Sequence, residues 1–215
     1  GVATWATNCR KVTINPLPVP TITGPTPVCQ NSAGNVYTTQ AGMTSYVWTV
    51  VGGTITAGGT STSSTTTVTW TTVGTQSISV KYTNANGCTA AAPTVYNVTV
   101  NALPVPTINC EATVCQNSAG NVYTTESGMT NYIWTVVGGT ITAGGTSTSN
   151  TATVTWTVVG TQSISVNYTN SNGCTAATPA VKYVTVTPLP VPTITGPTPV
   201  CLNSTGNVYT TETGK

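Results

Sequence analysis

Along Tyr46-Val47-Trp48-Thr49-Val50-Val51 the side chains alternate: Tyr46, Trp48 and Val50 fall on one face of an extended chain, and Val47, Thr49 and Val51 fall on the other. Gly52-Gly53 follows and supplies the backbone freedom for a reversal. Thr65–Trp70 alternates hydroxyl and apolar groups, and Gln76–Tyr82 alternates with Ile78, Val80 and Tyr82 inward. This period-two patterning predicts strands near 21–23, 35–39, 45–51, 54–57, 65–70, 75–83 and 94–100, punctuated by Gly58-Gly59, Gly74 and Asn86-Gly87. Short strands at such regular spacing predict an antiparallel β-sandwich. The abundant Thr and Val are β-branched, which suits a pleated sheet and disfavours helix. No helical periodicity lasts longer than a turn. No apolar run reaches the roughly 18 residues of a spanning helix, so no membrane insertion is expected in this segment.

The whole pattern repeats. Tyr132-Ile133-Trp134-Thr135-Val136-Val137-Gly138-Gly139 stands 86 residues after its first occurrence, and residues 21–106 and 107–192 agree at 66 of 86 positions without insertion or deletion. Such near-identity marks a tandem array of one supersecondary unit. Residues 1–20 align with the last strand of a preceding copy, and 193–215 open a further copy and stop after its second strand. The expected organisation is therefore 1–20 as a C-terminal fragment plus linker, 21–106 and 107–192 as repeats with Pro-rich linkers, and 193–215 as an N-terminal fragment, the chain being a window on a longer array. The predicted core of each repeat is aromatic: Tyr46, Trp48 and Trp70 in the first, Tyr132, Trp134 and Trp156 in the second. One buried indole removes on the order of 200 Å² from water. The segments Leu17-Pro18-Val19-Pro20, Leu103-Pro104-Val105-Pro106 and Leu189-Pro190-Val191-Pro192 read as stiff spacers, with edge strands as the alternative.

Composition removes most chemistry. His and Phe are absent, the only acids are Glu111, Glu126 and Glu212, and charged residues make up 4% of the chain, against roughly 25% in ordinary globular proteins. Without His or Asp no Ser-His-Asp or Cys-His arrangement forms. Three Glu residues spread along the chain give no carboxylate pair for glycoside cleavage and no calcium cage. No phosphate-cradling loop with Lys occurs. No catalytic residue, cofactor or metal site is therefore expected. A net charge of +2 from so few groups leaves no basic footprint for nucleic acid. It also supplies little repulsion against self-association, so copies of the chain are the expected partner, besides an undetermined surface glycan or protein ligand. A Lys–Asn isopeptide bond common to the repeats is excluded, because Lys81 becomes Asn167 and Lys182 replaces Tyr96; a single one stays open. The Thr-rich run 60–69 reads as a solvated strand face or as an ice- or glycan-binding face.

Seven cysteines without histidine point to disulfides and an oxidising compartment. The in-register pairs are Cys29–Cys88 and Cys115–Cys174, with free buried thiols as the alternative. Cys201 would then await a partner beyond Lys215. Cys9 and Cys110 break the register: Val95 and Val181 stand at the first position in later copies, Gly24 and Gly196 at the second. They read as repeat drift or as a crosslink from Cys9 of one chain to Cys110 of a neighbour.

The succession Gly24-Pro25, Val28-Cys29, Tyr37, then Tyr46-x-Trp48, Gly52-Gly53-Thr54-Ile55, Val68-Thr69-Trp70, Val80 and Asn86-Gly87-Cys88 resembles the PKD-like, immunoglobulin-like repeats of large Bacteroidota surface adhesins, including gliding-type adhesins exported by the type IX system. The resemblance covers almost the whole chain. It departs from archetypal PKD domains, whose Trp-x-Phe-Gly-Asp-Gly motif cannot form without Phe and Asp. It implies an all-β chain of tandem immunoglobulin-like sandwiches on the extracellular cell surface. The expected function is a structural repeat region of an adhesin or filament, with an array of carbohydrate-binding modules as the alternative.

Overall fold

The computed structural model describes residues 13–213. Cys9, and the part of the 1–20 fragment before Thr13, lie outside the described residues. The chain divides into two compact units: one runs to Pro104 and takes in Thr169–Ala177, the other comprises Val105–Tyr168 and the chain from Thr178 onward. Among the described residues every regular element is a strand. The first repeat contains β1 (Val28–Cys29), β2 (Asn35–Thr38), β3 (Thr44–Val51), β4 (Gly53–Gly58), β5 (Thr65–Trp70), β6 (Gly74–Thr83) and β7 (Thr94–Asn101). The second contains β8 (Thr113–Cys115), β9 (Asn121–Thr124), β10 (Thr130–Val137), β11 (Gly139–Gly144), β12 (Thr151–Trp156), β13 (Gly160–Thr169) and β14 (Ala180–Thr187).

Each repeat is a sandwich of a four-stranded and a three-stranded sheet. In the first the orders are β1-β7-β6-β3 and β2-β5-β4, and the second reproduces them as β8-β14-β13-β10 and β9-β12-β11. The alternating side chains meet between the layers. β3 sets Trp48 opposite Val80 and Val50 opposite Ile78 of β6, while β5 turns Thr66, Val68 and Trp70 inward. The reversal at Gly52 has φ +83°, and a Cβ there would meet the Gln76 side chain, so only glycine fits. Tyr46, Trp48 and Trp70 lie in the first core, and Tyr132, Trp134 and Trp156 in the second. Residues 21–23, expected as a strand, reduce to a single bridge between Thr23 and Thr38.

One edge departs from an all-antiparallel reading. β1 runs parallel to β7, with Val28 beside Val100 and Cys29 beside Asn101. Its two residues are too short to show alternation, and Pro27 ahead of them has no N–H for the ladder. In the second repeat Thr113 replaces that proline and joins the strand, so β8 reaches three residues. There Thr185 N–H donates to the Ala112 carbonyl at 2.8 Å, whereas Thr99 N–H in the first repeat uses the Thr26 hydroxyl at 3.0 Å.

A second difference is compensated locally. In the first repeat a Cβ on Gly24 would meet the Tyr37 ring at 2.2 Å. Tyr96 packs on Tyr37 at 6.1 Å and donates its hydroxyl proton to the Gly24 carbonyl at 3.0 Å. The second repeat carries Cys110 in place of Gly24 and Lys182 in place of Tyr96. The Tyr123 ring is retained there, and the Cys110 side chain packs against the second core.

Candidate functional site: the Asn-Gly-Cys turn and its disulfide

The turn between the last two long strands of each repeat is built by one asparagine. Asn84 N–H donates to the Cys88 carbonyl at 2.9 Å, and its Oδ1 accepts from Asn86 N–H and Cys88 N–H, both at 3.0 Å. Gly87 closes the turn at φ +78°, in the left-handed region that favours glycine. The remaining amide proton reaches outward: Asn84 Nδ2 donates to the Pro16 carbonyl at 3.3 Å. Asn170 repeats every contact, its Nδ2 donating to the Ala102 carbonyl at 3.3 Å. Each turn therefore presents its cysteine beside the chain that enters its own repeat.

The other cysteine lies at the end of the short parallel strand. Gln30 N–H, directly after Cys29, donates to the Asn101 carbonyl at 2.8 Å. Two successive carbonyls, Asn101 and Ala102, are thus held by the neighbours of Cys29 and of Cys174 respectively. The sulfurs are bonded: Cys29–Cys174 has a Cα–Cα distance of 5.6 Å and a sequence separation of 145 residues. Cys174 is fully buried.

This corrects the expected pairing. Cys29 does not bond Cys88, nor Cys115 Cys174; Cys88 and Cys115 are free thiols, as are Cys110 and Cys201. Parallel pairing puts Cys29 beside Asn101, the last residue of β7, whereas Cys88 precedes the first residue of that strand. Eight residues at ~3.3 Å each separate the two ends by more than 20 Å, far beyond the roughly 7 Å that a disulfide spans between Cα atoms. Strict periodicity makes pairing within a copy and pairing to the next copy equally in register. The discriminating signal was the strand direction of Val28-Cys29, which two residues do not reveal.

Cys110 is half-buried against the second core. Burial pushes its thiol up, outweighing Lys182, which acts in the opposite sense. That is the reverse of a reactive thiolate. The four Trp residues singled out in the sequence are buried, Trp48 and Trp134 being 8% exposed and Trp70 and Trp156 fully enclosed, so none offers a flat face to a sugar. Among the described residues no group of three His, Cys, Asp or Glu could hold a metal. No helix among them is long and apolar enough to cross a membrane.

A carboxylate latch was not anticipated. Glu126 Oε1 accepts from the Thr107 hydroxyl at 2.6 Å, and Oε2 accepts from the Thr107 N–H, the Thr125 hydroxyl and the Tyr168 hydroxyl at 3.2, 2.7 and 2.9 Å. Burial alone would raise this carboxyl. The threonine hydroxyls and backbone N–H groups outweigh it and hold the group at about 2. Burial, and then the Glu126 carboxylate, push Tyr168 up to about 12. Gln40 makes the neutral version of the latch, with Thr21 N–H donating to its Oε1 at 3.1 Å and its Nε2 donating to the Thr21 hydroxyl at 2.8 Å. Because the folded value lies below the ordinary 4.5, the latch stabilises the fold above pH 4.5, and this contribution is lost as pH falls from 4.5 towards 2. The carboxylate is only partly buried, so solvent screening reduces the loss to about 1 kcal/mol. Glu126→Gln is expected to flatten that part of the acid limb in urea unfolding followed from pH 7 to pH 2.5. An unchanged acid limb in the variant would show that the latch contributes nothing.

A family model for the PKD-like domain matches the chain at residues 15–98 and 101–183. Solved structures with a similar fold include fibronectin(III)-like modules of Clostridium thermocellum CbhA, 16% identical over 79% of this chain and 95% of that chain with a TM-score of 0.36. The D00-D0 domain of intimin is 11% identical over 79% of this chain and 100% of that chain, with a TM-score of 0.37. Domains 4 and 5 of the S-layer protein SbsC are 15% identical over 79% of this chain and 98% of that chain, with a TM-score of 0.32. A comparison with curated proteins returned no match. Two tandem sandwiches, all-β and matched over most of the chain by one family, place this protein in the PKD-like domain family.

Proposed function

We propose that this chain is a structural stretch of an extracellular surface adhesin or filament, in which disulfide-tied β-sandwiches carry tension between a cell and whatever the distal end holds. The observation that carries this reading is the Cys29–Cys174 bond, which joins residues of successive repeats. A bond there makes a covalent short cut: force applied at the two ends passes through the sulfurs and bypasses the chain between them, a sequence separation of 145. Oxidised cysteines belong to an extracytoplasmic compartment. The weakly charged surface, 4% of residues, fits a protein that works packed beside copies of itself. The resemblance in sequence to Bacteroidota repeats adds the source and the type IX route to the proposal.

Pulling on single molecules tests it. Unfolding the oxidised chain from its ends should leave the ring closed at Cys29 and Cys174. Reduction should then release a further contour of about 500 Å, given ~3.5 Å for each of the 145 residues. Equal extension with and without reductant would overturn the tension-carrying role. Surface biotinylation of intact cells would test the location, and protection of the repeats from the reagent would refute it.

A further inference from the structure

We propose that Cys29–Cys174 is one link of a series made at every junction between copies, always from the parallel-strand cysteine of one copy to the turn cysteine of the next copy in the same chain. Cys115 is then the half-cystine for the turn cysteine of any copy joined in register after the second. Cys88 is the half-cystine for the parallel-strand cysteine of any copy joined before the first. This deepens the proposed structural role and rests on it.

The free cysteines have the surroundings of the bonded ones. Around Cys115, Gln116 N–H donates to the Thr187 carbonyl at 2.8 Å and the Ser118 hydroxyl donates to the Cys115 carbonyl at 2.7 Å. Gln30 with Asn101, and Ser32 with Cys29, show the same 2.8 and 2.7 Å. Around Cys88, Asn84 grips Pro16 as Asn170 grips Ala102, each at 3.3 Å. The Cys88 sulfur rests 4.0 Å from the Asn15 carbonyl, and Asn15 stands one period before Asn101. Both halves of the cradle thus exist without their partners. Cys115 is exposed and Cys88 half-exposed, so neither thiol is sealed in a core.

Geometry also restricts the bond to one continuous chain. At the bonded junction a single stretch, Asn101-Ala102, is held from one side by Gln30 and from the other by Asn170. Two separate chains would bring two such stretches, Thr187-Pro188 of one and Asn15-Pro16 of the other, to a place that holds one. The chemistry is ordinary thiol–disulfide exchange with a small-molecule disulfide such as oxidised glutathione. One thiolate attacks it and releases one reduced thiol. The partner thiolate then displaces the second, so two protein thiols lose two protons and two electrons and the oxidant takes them up.

The test uses native alkylation and peptide mapping after refolding in a glutathione buffer. In the chain as it stands, Cys29–Cys174 should form while Cys88 and Cys115 are fully alkylated. In the chain continued after Lys215 to complete the third copy, Cys115 should lose its alkylation and map to the new turn cysteine. Continuation before Gly1, with a complete preceding copy, should protect Cys88 in the same way and serves as the second arm if the first product does not fold. Cys115 left alkylated in a folded, extended chain would overturn the proposal, and so would a bond from Cys115 to Cys201. Mixing isotopically labelled and unlabelled chains reads the remaining alternative: a Cys115–Cys88 crosslink between chains would refute the single-chain requirement. Absence of Cys29–Cys174 itself in the unextended chain would instead remove the proposed function, so the two failures are distinguishable.

Discussion

Replacing Cys174 with serine should lower the stability of the oxidised chain by about 5 kcal/mol, the chain-entropy value for closing a loop of 145 residues. The loss should take a particular form. Each repeat has its own aromatic core, so neither sandwich depends on the sulfur for its packing. The bond instead restricts the unfolded ensemble of both at once, because the ring from Cys29 to Cys174 encloses most of each repeat. Calorimetry of the oxidised wild type should therefore show later melting than Cys174→Ser, and the variant should melt like the reduced wild type. Cys88→Ser is the control: its thiol is free and half-exposed, so the change should fall within about 0.5 kcal/mol. A Cys88→Ser chain as unstable as Cys174→Ser would mean that the bond lies elsewhere.

What the sequence conveyed and what it withheld divide along a physical line. Strands long enough to alternate were legible, because one side of each must be buried: Tyr46, Trp48, Val68 and Trp70 lie in the core, as their spacing required. Reversals were legible where a left-handed backbone needs glycine, as at Gly52 and Gly87. The parallel edge β1 was not legible, since two residues show no period and the ladder partner, Val100, is 72 positions away. That single omission reversed the cysteine pairing. The Glu126 latch was invisible for a related reason. Its partner Thr107 is 19 residues distant, beyond β9 and β8, and no local pattern marks a carboxylate that accepts from hydroxyls rather than pairing with a base. The resemblance to PKD-like repeats rested on the legible features, and the family match at 15–98 and 101–183 agrees with it.

With the disulfide reduced, a loss of similar size should come from removing Trp70. Its indole is fully enclosed, meets Tyr37 edge to face at 5.9 Å, and donates Nε1–H to the Tyr37 hydroxyl at 3.0 Å. That hydroxyl donates onward to the Pro25 carbonyl at 2.9 Å, so the indole anchors the segment that leads into β1 and Cys29. Trp70→Ala removes the ring, leaves a cavity and costs ~4 kcal/mol. Trp70→Phe keeps most of the apolar volume and loses the donor; the Tyr37 hydroxyl keeps its acceptor, so the cost should be nearer 1 kcal/mol for the missing bond plus a similar amount for the smaller ring. Urea midpoints measured under reducing conditions separate the two, because the repeats are then not joined through Cys29 and Cys174. Trp156 does the same work in the second core, with Nε1–H donating to the Tyr123 hydroxyl at 2.8 Å. The two cores share no residue, so each alanine variant should lower the midpoint of its own repeat only, and the double variant should lower each repeat as the single variants do, to within about 0.5 kcal/mol. A single transition that either variant shifts, and that moves by the sum of the two losses in the double variant, would mean that the two sandwiches unfold as one body even without the disulfide, and the picture of independent cores tied by sulfur would fail.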